Sequence, residues 1–195
     1  MRELSYFVAV SIDGRIAGPN DDFSAFPVEG DHIDMIFREW RDTLPSVALK
    51  ALGLTADGSR FDATLMGWTT YAAGLSATDN PYPHTRQVVF SRRHSAADVP
   101  AGITVTNEDP VAVVRRLKAE DGGGIWLCGG GDLAGQLVGE INRLVLKVNP
   151  VLLLDGTPLF AGDYAPHAFD LERSTPYESG VVVNEYTRHV DEARR

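Results

Sequence analysis

The sequence predicts an α/β protein whose central sheet is mainly parallel and ends in antiparallel edge strands. Short apolar runs alternate with segments of helical pattern along most of the chain, which is typical of a parallel sheet flanked by helices. Near the end, two runs of alternating polar and apolar residues flank Glu178-Ser179-Gly180, a pattern that indicates a hairpin. The chain has 195 residues and no credible linker, so we expect one domain over residues 1–195.

The first half opens with a strand that the sequence predicts to be buried on both faces. Residues 4–12, LSYFVAVSI, are nearly all apolar, and Asp13-Gly14 then signals a structural turn into the loop RIAGPNDD. Apolar residues at helical spacing predict a helix over 31–44, whereas 45–60 is ambiguous. The remaining predicted elements of this half are strands at 63–67 and 86–91, and a helix that begins near Tyr71 after the capping residues Thr69 and Thr70.

The second half repeats the alternation of strand and helix. Pro110 suits the first turn of an amphipathic helix over 109–121. The run VLLL at 151–154 is either a core strand or part of a subunit contact. The other predicted elements are strands at 103–106, 124–128 and 142–150, a helix at 132–140, and the hairpin over 168–190.

Charge and cysteine content narrow the classes of function. A net charge of −9 argues against a nucleic-acid partner, because phosphate contacts need clustered Lys and Arg. One cysteine, Cys128, excludes a disulfide framework, and the five histidines show no ligand spacing, so we predict no metal. Asp13 interrupts the first apolar stretch too soon for a signal peptide, and no run approaches the roughly 18 apolar residues of a membrane span. We therefore expect a cytoplasmic protein with no membrane partner.

The glycine run in IWLCGGGDLAGQLV, residues 125–138, separates a predicted strand from a predicted helix. Either the turn needs backbone angles that only glycine tolerates, or an anionic phosphate must approach the backbone closely. Gly129, Gly131 and Ala134 match the G-x-G-x-x-[G/A] spacing. The run comes late in the chain, however, and has neither an acidic residue about 20 positions on nor a following Lys-Ser or Lys-Thr. The usual dinucleotide-binding fold and a P-loop both fit poorly.

Several stretches in fixed order resemble the dihydrofolate reductase fold. They are FVAVSIDGRIAG (7–18), ATLMGWTTYAAG (63–74), VVFSRR (88–93) and the glycine run itself. The segment INRLVLKVNPVLLLDGTPLF (141–160) is similar to the reductase domain of bacterial riboflavin biosynthesis and its stand-alone relatives. The resemblance implies a three-layer fold, a homodimer, and NADPH-dependent reduction of a small heterocycle. The implied substrate is a pterin or a ribosylaminopyrimidine such as 5-amino-6-(5-phosphoribosylamino)uracil.

The resemblance also implies a set of residues that bind NADPH. Ser91 and Arg92, with Arg93 as a further candidate, would meet the adenosine 2′-phosphate, and a bidentate guanidinium suits a phosphate dianion. Trp68, where such reductases often carry a basic residue, would stack on adenine or fill a gap. The other implied cofactor contacts are Gly129, Gly130, Gly131, Asp132 and Leu133 at the pyrophosphate, Gly67, Thr69 and Thr70 at a second phosphate position, and Ala9, Ile16 and Ala17 at the nicotinamide.

Candidate catalytic residues follow from the same resemblance. A carboxylate on the first helix would contact the substrate, which makes Asp31 and Asp34 the candidates, although acidic residues in a first turn also simply favour the helix dipole. Thr157, on the loop DGTP, would lie near the substrate or merely connect two elements. We expect Cys128 to be a small buried hydrophobe rather than a nucleophile, since no basic residue adjoins it. A non-catalytic ligand-binding module and a flavin-binding protein are the alternative functions.

Overall fold

The computed structural model describes residues 1–189 and consists of strands and short helices in alternation. The strands are β1 (Leu4–Ser11), β2 (Arg15–Ala17), β3 (Phe61–Gly67), β4 (Arg86–Phe90), β5 (Ile103–Thr106), β6 (Gly124–Gly129), β7 (Arg143–Asn149), β8 (Thr157–Pro158), β9 (Phe169–Pro176) and β10 (Val182–Arg188). The helices are α1 (His32–Glu39), α2 (Ser46–Leu52), α3 (Trp68–Ala73), α4 (Pro110–Ala119) and α5 (Gly131–Leu137).

Eight of the strands form one sheet, in the order β5-β4-β3-β6-β1-β7-β10-β9. All pairs from β5 to β7 are parallel, whereas β10 pairs antiparallel with both β7 and β9. This arrangement confirms the predicted mainly parallel sheet with antiparallel edge strands at its C-terminal end. In the register of β1 and β7, Ala9 lies opposite Lys147.

Helices cover both faces of the sheet and give three layers. Alternate residues of the central strands face opposite sides, as the strand period of two requires. On one side, Tyr6 and Leu127 pack with residues of α4 and α5. On the other side, Phe7 and Trp126 pack with residues of α1, and the rings of Phe7 and Trp40 stack at 4.6 Å. Trp40 and Trp126 are buried in this layer, at 0% and 4% exposure.

Two helices differ from the sequence-based boundaries. The helix predicted over 31–44 ends at Glu39, because Trp40 leaves helical geometry and a short 3-10 turn follows at Arg41–Thr43. The buried Asp42 accepts hydrogen bonds from the amides of Arg60 (2.8 Å) and Phe61 (3.0 Å), which ties this turn to the start of β3. The second difference is in α3, which begins at Trp68 with Gly67 as its N-cap, so that Thr69 and Thr70 lie in the first turn and do not cap it.

Three short elements were not predicted, namely α2, β2 and β8. The loop predicted after Asp13-Gly14 contains β2, which pairs antiparallel with β8. The run VLLL at 151–154 forms no strand, and Leu152 and Leu154 are 58% and 78% exposed, so its interpretation as a core strand is wrong.

The turn at Asp13 is structural, as predicted. The Asp13 carboxylate accepts hydrogen bonds from the Ser11 hydroxyl (2.6 Å) and from the amides of Leu153 (3.1 Å) and Leu154 (2.8 Å). These bonds, above all the bond from Ser11, lower the pKa of Asp13 to about 2.

Within residues 1–189, no helix is long and apolar enough to cross a membrane, and no group of three or more metal-ligating side chains is present.

Candidate active-site cleft

A cleft of about 1290 Å³ opens where the parallel strands of the sheet end. Ligands of open α/β sheets bind at the carboxyl ends of the strands, because helices begin there and side chains converge. The residues that the sequence assigned to the cofactor come from four separate segments of the chain. All of them line this cleft: Ala9, Ile16, Ala17, Gly67, Thr69, Thr70, Ser91, Arg92, Arg93, Gly129, Gly130, Gly131, Asp132 and Leu133.

The first two glycines of the run serve different purposes. Gly129 has φ 139, which a residue with a side chain rarely adopts, and the bond from Gly129 to Gly130 is cis. Gly130 has ordinary extended angles, with φ −95 and ψ −166. A Cβ on Gly130 would lie 3.5 Å from Thr70 Oγ1 and 3.9 Å from Ile16 Cδ1, two residues that line the cleft. A side chain at Gly130 would therefore take up space between the predicted cofactor contacts.

The third glycine allows close packing at the start of α5. A Cβ on Gly131 would overlap the carbonyl oxygen of Pro158, so α5 can lie against β8 only without a side chain there. The bond from the amide of Ala134 to the carbonyl of Gly130 closes the first helical turn at 2.9 Å. The amides of Gly131–Leu133 precede that bond, and no side chain caps them. These free amides, next to the space at Gly130, fit an anionic group such as a pyrophosphate.

A turn after β4 forms one end of the cleft. The Ser91 hydroxyl oxygen accepts hydrogen bonds from the amides of Arg93 (3.2 Å) and His94 (3.0 Å), which fixes the turn and leaves Arg92 and Arg93 exposed. The ring of His94 stacks on Trp68 at 3.6 Å, with an angle of 4° between the rings. Trp68 therefore packs within the protein on that face. The turn presents two guanidinium groups, which suit a phosphate dianion.

The opposite end of the cleft contains two basic side chains that the sequence-based reasoning missed. Lys147, on β7, is partly buried, and its Nζ lies 5.0 Å from the centre of the Phe7 ring. His32, on α1, is 2% exposed, and its Nδ1 lies 2.9 Å from the Ser179 hydroxyl. Burial lowers the pKa of His32, and the charge of Lys147 lowers it further. A lysine in the apolar strand pattern RLVLKVN was the signal that could have identified this end.

Cys128 and Tyr82 form a neutral polar pair beside Lys147. The phenol oxygen of Tyr82 lies 3.9 Å from the Cys128 sulfur. Burial raises the pKa of Cys128 to about 12 and raises that of Tyr82 well above its ordinary value. Cys128 remains a thiol at neutral pH, in agreement with its interpretation as a small buried side chain.

The structure separates the predicted acidic residues from the cleft. Asp31 accepts hydrogen bonds from the amides of Glu178 (2.8 Å) and Ser179 (3.1 Å), which ties α1 to the hairpin of β9 and β10. Asp34 is exposed on α1, and neither aspartate lines the cleft. Thr157 does line it, with its Oγ1 3.4 Å from Asp21 Oδ1. Of the three candidates, the structure brings only Thr157 together with the predicted cofactor residues.

Comparison with known sequences supports the resemblance. The family model described as the RibD C-terminal domain matches residues 2–183. The uncharacterized protein YwjB of Bacillus subtilis (strain 168) is 30% identical over 165 residues, which cover 82% of this chain and 83% of YwjB. The uncharacterized protein YyaP of the same organism is 30% identical over 99 residues, or 50% of this chain and 52% of YyaP.

Solved structures share the fold. A putative riboflavin biosynthesis protein from Shewanella sp. PV-4 superposes with a TM-score of 0.74 at 21% identity, covering 97% of this chain and 100% of that one. A diaminohydroxyphosphoribosylaminopyrimidine deaminase/5-amino-6-(5-phosphoribosylamino)uracil reductase from Thermotoga maritima superposes with a TM-score of 0.63 at 13% identity. The alignment covers 96% of this chain and 57% of the Thermotoga protein. These similarities confirm the reductase-like fold.

Proposed function

The chain belongs to the family of the RibD C-terminal domain, and from that premise we propose that it is an NADPH-dependent reductase of a small heterocycle. The observation that carries the proposal is the convergence of all the predicted cofactor residues on one cleft at the carboxyl ends of the strands. Those residues come from segments as distant in sequence as Ala9 and Leu133, so their convergence depends on the fold rather than on one local motif.

The sheet order supports an orientation for the cofactor. The strands β4, β3, β6 and β1 are consecutive in the sheet, and each is followed by one group of predicted contacts. The adenosine 2′-phosphate would lie at Arg92 and the pyrophosphate at the amides after Gly130, between Thr70 and the start of α5. The nicotinamide would then lie near Ala9, next to β7. When bound, the cofactor supplies a hydride to a carbon of the substrate.

The protein's own residues would bind the cofactor and shield the reacting atoms from water. Backbone amides at the start of α5 neutralise the pyrophosphate without a cationic side chain. Apolar side chains of the cleft, among them Phe7, Ile36 and Trp126, exclude water from the end beside Ala9. Thr157 lies on the same wall as Ala17, because β8 pairs with β2.

We also propose a cytoplasmic homodimer. Three exposed apolar side chains support the dimer: Ile12, Leu152 and Leu154 are 62%, 58% and 78% exposed. They lie on neighbouring segments, since the Ile12 amide donates to the carbonyl of Val151 at 2.9 Å. Contiguous exposed apolar surface marks interaction sites. Sedimentation equilibrium should give twice the 21.2 kDa mass of the chain, and a monomer at micromolar concentration would contradict the dimer.

Cofactor preference tests the proposal. Calorimetric titration should show tight binding of NADPH and weaker binding of NADH. Arg92→Ala should reduce NADPH affinity by roughly tenfold or more and leave NADH affinity unchanged, because hydrogen bonds to charged groups contribute about 1.5–3 kcal/mol. Equal binding of the two nucleotides by the unmutated protein would contradict the role of Arg92.

Turnover is tested separately from binding. NADPH oxidation should be measured by loss of its absorbance in the presence of dihydropterins and ribosylaminopyrimidines. Oxidation that depends on one of these substrates supports a reductase. Tight NADPH binding with no oxidation across the panel would instead indicate a ligand-binding module that keeps the fold without the chemistry.

A further inference from the structure

Lys147 lies at the end of the cleft opposite Arg92, here called the inner end, and it has no anionic partner among the described residues. No carboxylate of residues 1–189 lies within salt-bridge distance of its Nζ. Lys118, by contrast, is 8% exposed, pairs with Glu140 at 3.4 Å and donates to the Glu140 carbonyl at 2.6 Å. A buried charge usually has such a partner, since taking it out of water is costly. The exception at Lys147 lies where the cleft is open.

The surroundings of Lys147 are mostly aromatic and aliphatic. Lys147 sits over the Phe7 ring, opposite Ala9 on β1 and opposite Val183 on β10. Trp126 and Tyr82 line the same cleft, with their rings 5.0 Å apart at an angle of 84°. Walls of this kind favour a largely apolar ligand, and a small number of polar groups among them fixes its orientation.

The geometry points to Lys147 as the counter-ion for a planar heterocyclic substrate that carries a single negative charge on oxygen, a carboxylate or an enolate, rather than a phosphate ester. This inference rests on the proposed function, because the register of Ala9 with Lys147 puts the ammonium beside the predicted nicotinamide position. It narrows the substrates of that reductase to acceptors whose anionic oxygen points towards β7.

One isolated ammonium suits a monoanion better than a phosphate dianion. Phosphate recognition in proteins favours several donors or the bidentate fork of an arginine. The two arginines that line the cleft, Arg92 and Arg93, follow β4. Lys147 is on β7, and three strands of the sheet separate β4 from β7. The inner end therefore presents the ammonium of Lys147 without an arginine beside it.

Between pH 7 and 9, the charge at the inner end of the cleft depends on the protonation of Lys147. Burial lowers the pKa of Lys147 to about 8. Burial raises the pKa of Cys128 to about 12 and that of Tyr82 higher than its ordinary value, while His32 on α1 has a lowered pKa. All three are neutral between pH 7 and 9, so the ammonium of Lys147 is the group that titrates there.

Binding of two matched fluorescent probes tests the inference. At pH 7, pterin-6-carboxylate carries the anionic oxygen, and 6-hydroxymethylpterin has the same rings without it. The ring amide of both probes ionises at alkaline pH, so the two probes are compared at pH 7 and the pH series compares the original protein with Lys147→Arg. Titrations would use the full chain, with and without saturating NADPH, at pH values from 7 to 10. The variants are Lys147→Met, Lys147→Arg and, as a matched control, Lys50→Met, because Lys50 is exposed on α2 outside the cleft.

We expect the carboxylate probe to bind at least about tenfold more tightly than the neutral probe at pH 7. Above pH 8 its affinity should fall towards the value measured for Lys147→Met as the ammonium is lost. Lys147→Met should abolish the difference between the probes, Lys147→Arg should keep it and flatten the pH dependence, and Lys50→Met should change neither. Thermal unfolding of each variant verifies that it is folded.

Other results would overturn the inference. They are equal affinity of the two probes, no binding of either probe, a preference that survives in Lys147→Met, or tighter binding of flavin mononucleotide through its phosphate. NADPH affinity, measured in a separate titration, distinguishes the two proposals. If the unmutated protein does not bind NADPH, the proposed function is refuted. If it binds NADPH but gives any of these probe results, only the role of Lys147 is refuted.

Discussion

Replacing Gly130 with alanine should show whether this glycine is required for folding or for binding a ligand. The angles of Gly130 are accessible to alanine, and the new methyl group would lie at ordinary contact distance, 3.5 Å from Thr70 Oγ1 and 3.9 Å from Ile16 Cδ1. A glycine-to-alanine change at compatible angles alters the free energy of unfolding by about 0.4–1 kcal/mol, because it restricts the unfolded chain. We therefore expect Gly130→Ala to remain folded, with an unfolding free energy within about 1 kcal/mol of the original.

The same methyl group should interfere with cofactor binding. It occupies the gap between the two predicted phosphate-binding segments. The pyrophosphate would then lie farther from the amides at the start of α5 and lose a hydrogen bond to them. Loss of one hydrogen bond to a charged group costs about 1.5–3 kcal/mol, which raises the dissociation constant of NADPH roughly 10- to 150-fold.

Gly131→Ala is the contrasting variant. Its Cβ would overlap the Pro158 carbonyl oxygen, so the damage should be to packing, with a loss of about 1–3 kcal/mol or more of unfolding free energy. Urea unfolding and calorimetric titration of both variants give the two quantities needed. If Gly130→Ala binds NADPH as tightly as the original protein, the space at Gly130 does not serve the cofactor and the reasoning fails.

Two further predictions concern groups whose pKa the structure shifts. Burial alone would raise the pKa of Asp31, but the amides of Glu178 and Ser179 outweigh it and the pKa is lowered. Its stabilising effect is then complete above the unfolded pKa of about 4 and is lost as pH falls through the folded value. Asp31→Ala should therefore lower the melting temperature more at pH 7 than under acid conditions, with unchanged NADPH affinity, and an equal melting temperature at pH 7 would contradict the role of Asp31. Burial raises the pKa of Cys128 to about 12, so iodoacetamide should alkylate the folded protein much more slowly than the urea-unfolded chain, and equal rates would contradict the raised pKa.

The strands of the central sheet were predictable because both of their faces are covered. A strand such as Leu4–Ser11 must be apolar at nearly every position when helices pack on both sides, and that leaves an unmistakable run in the sequence. The short strands Arg15–Ala17 and Thr157–Pro158 leave no such pattern, because only their pairing with each other defines them. The helix Ser46–Leu52 was missed because it is short and only Leu49 is buried in it.

Residues of the candidate site likewise differ in how far the sequence could reveal them. The cofactor residues were assigned from the resemblance, and they meet in one cleft because strand ends meet at one edge of a parallel sheet. Asp31 was proposed as a substrate contact from the resemblance. The amides of Glu178 and Ser179 that donate to it lie far away in sequence, where local spacing cannot reveal them. Lys147 was missed for the opposite reason, since its significance lies in the partner that it lacks.

A crystal structure of the complex tests most directly whether the cleft holds NADPH along the row of strand ends. We expect the pyrophosphate at the amides of Gly131–Leu133, the 2′-phosphate at Arg92, and the nicotinamide beside Ala9 with Lys147 beyond it. A saturated crystal in which the nucleotide lies elsewhere on the protein, or in the reverse orientation, would contradict this placement.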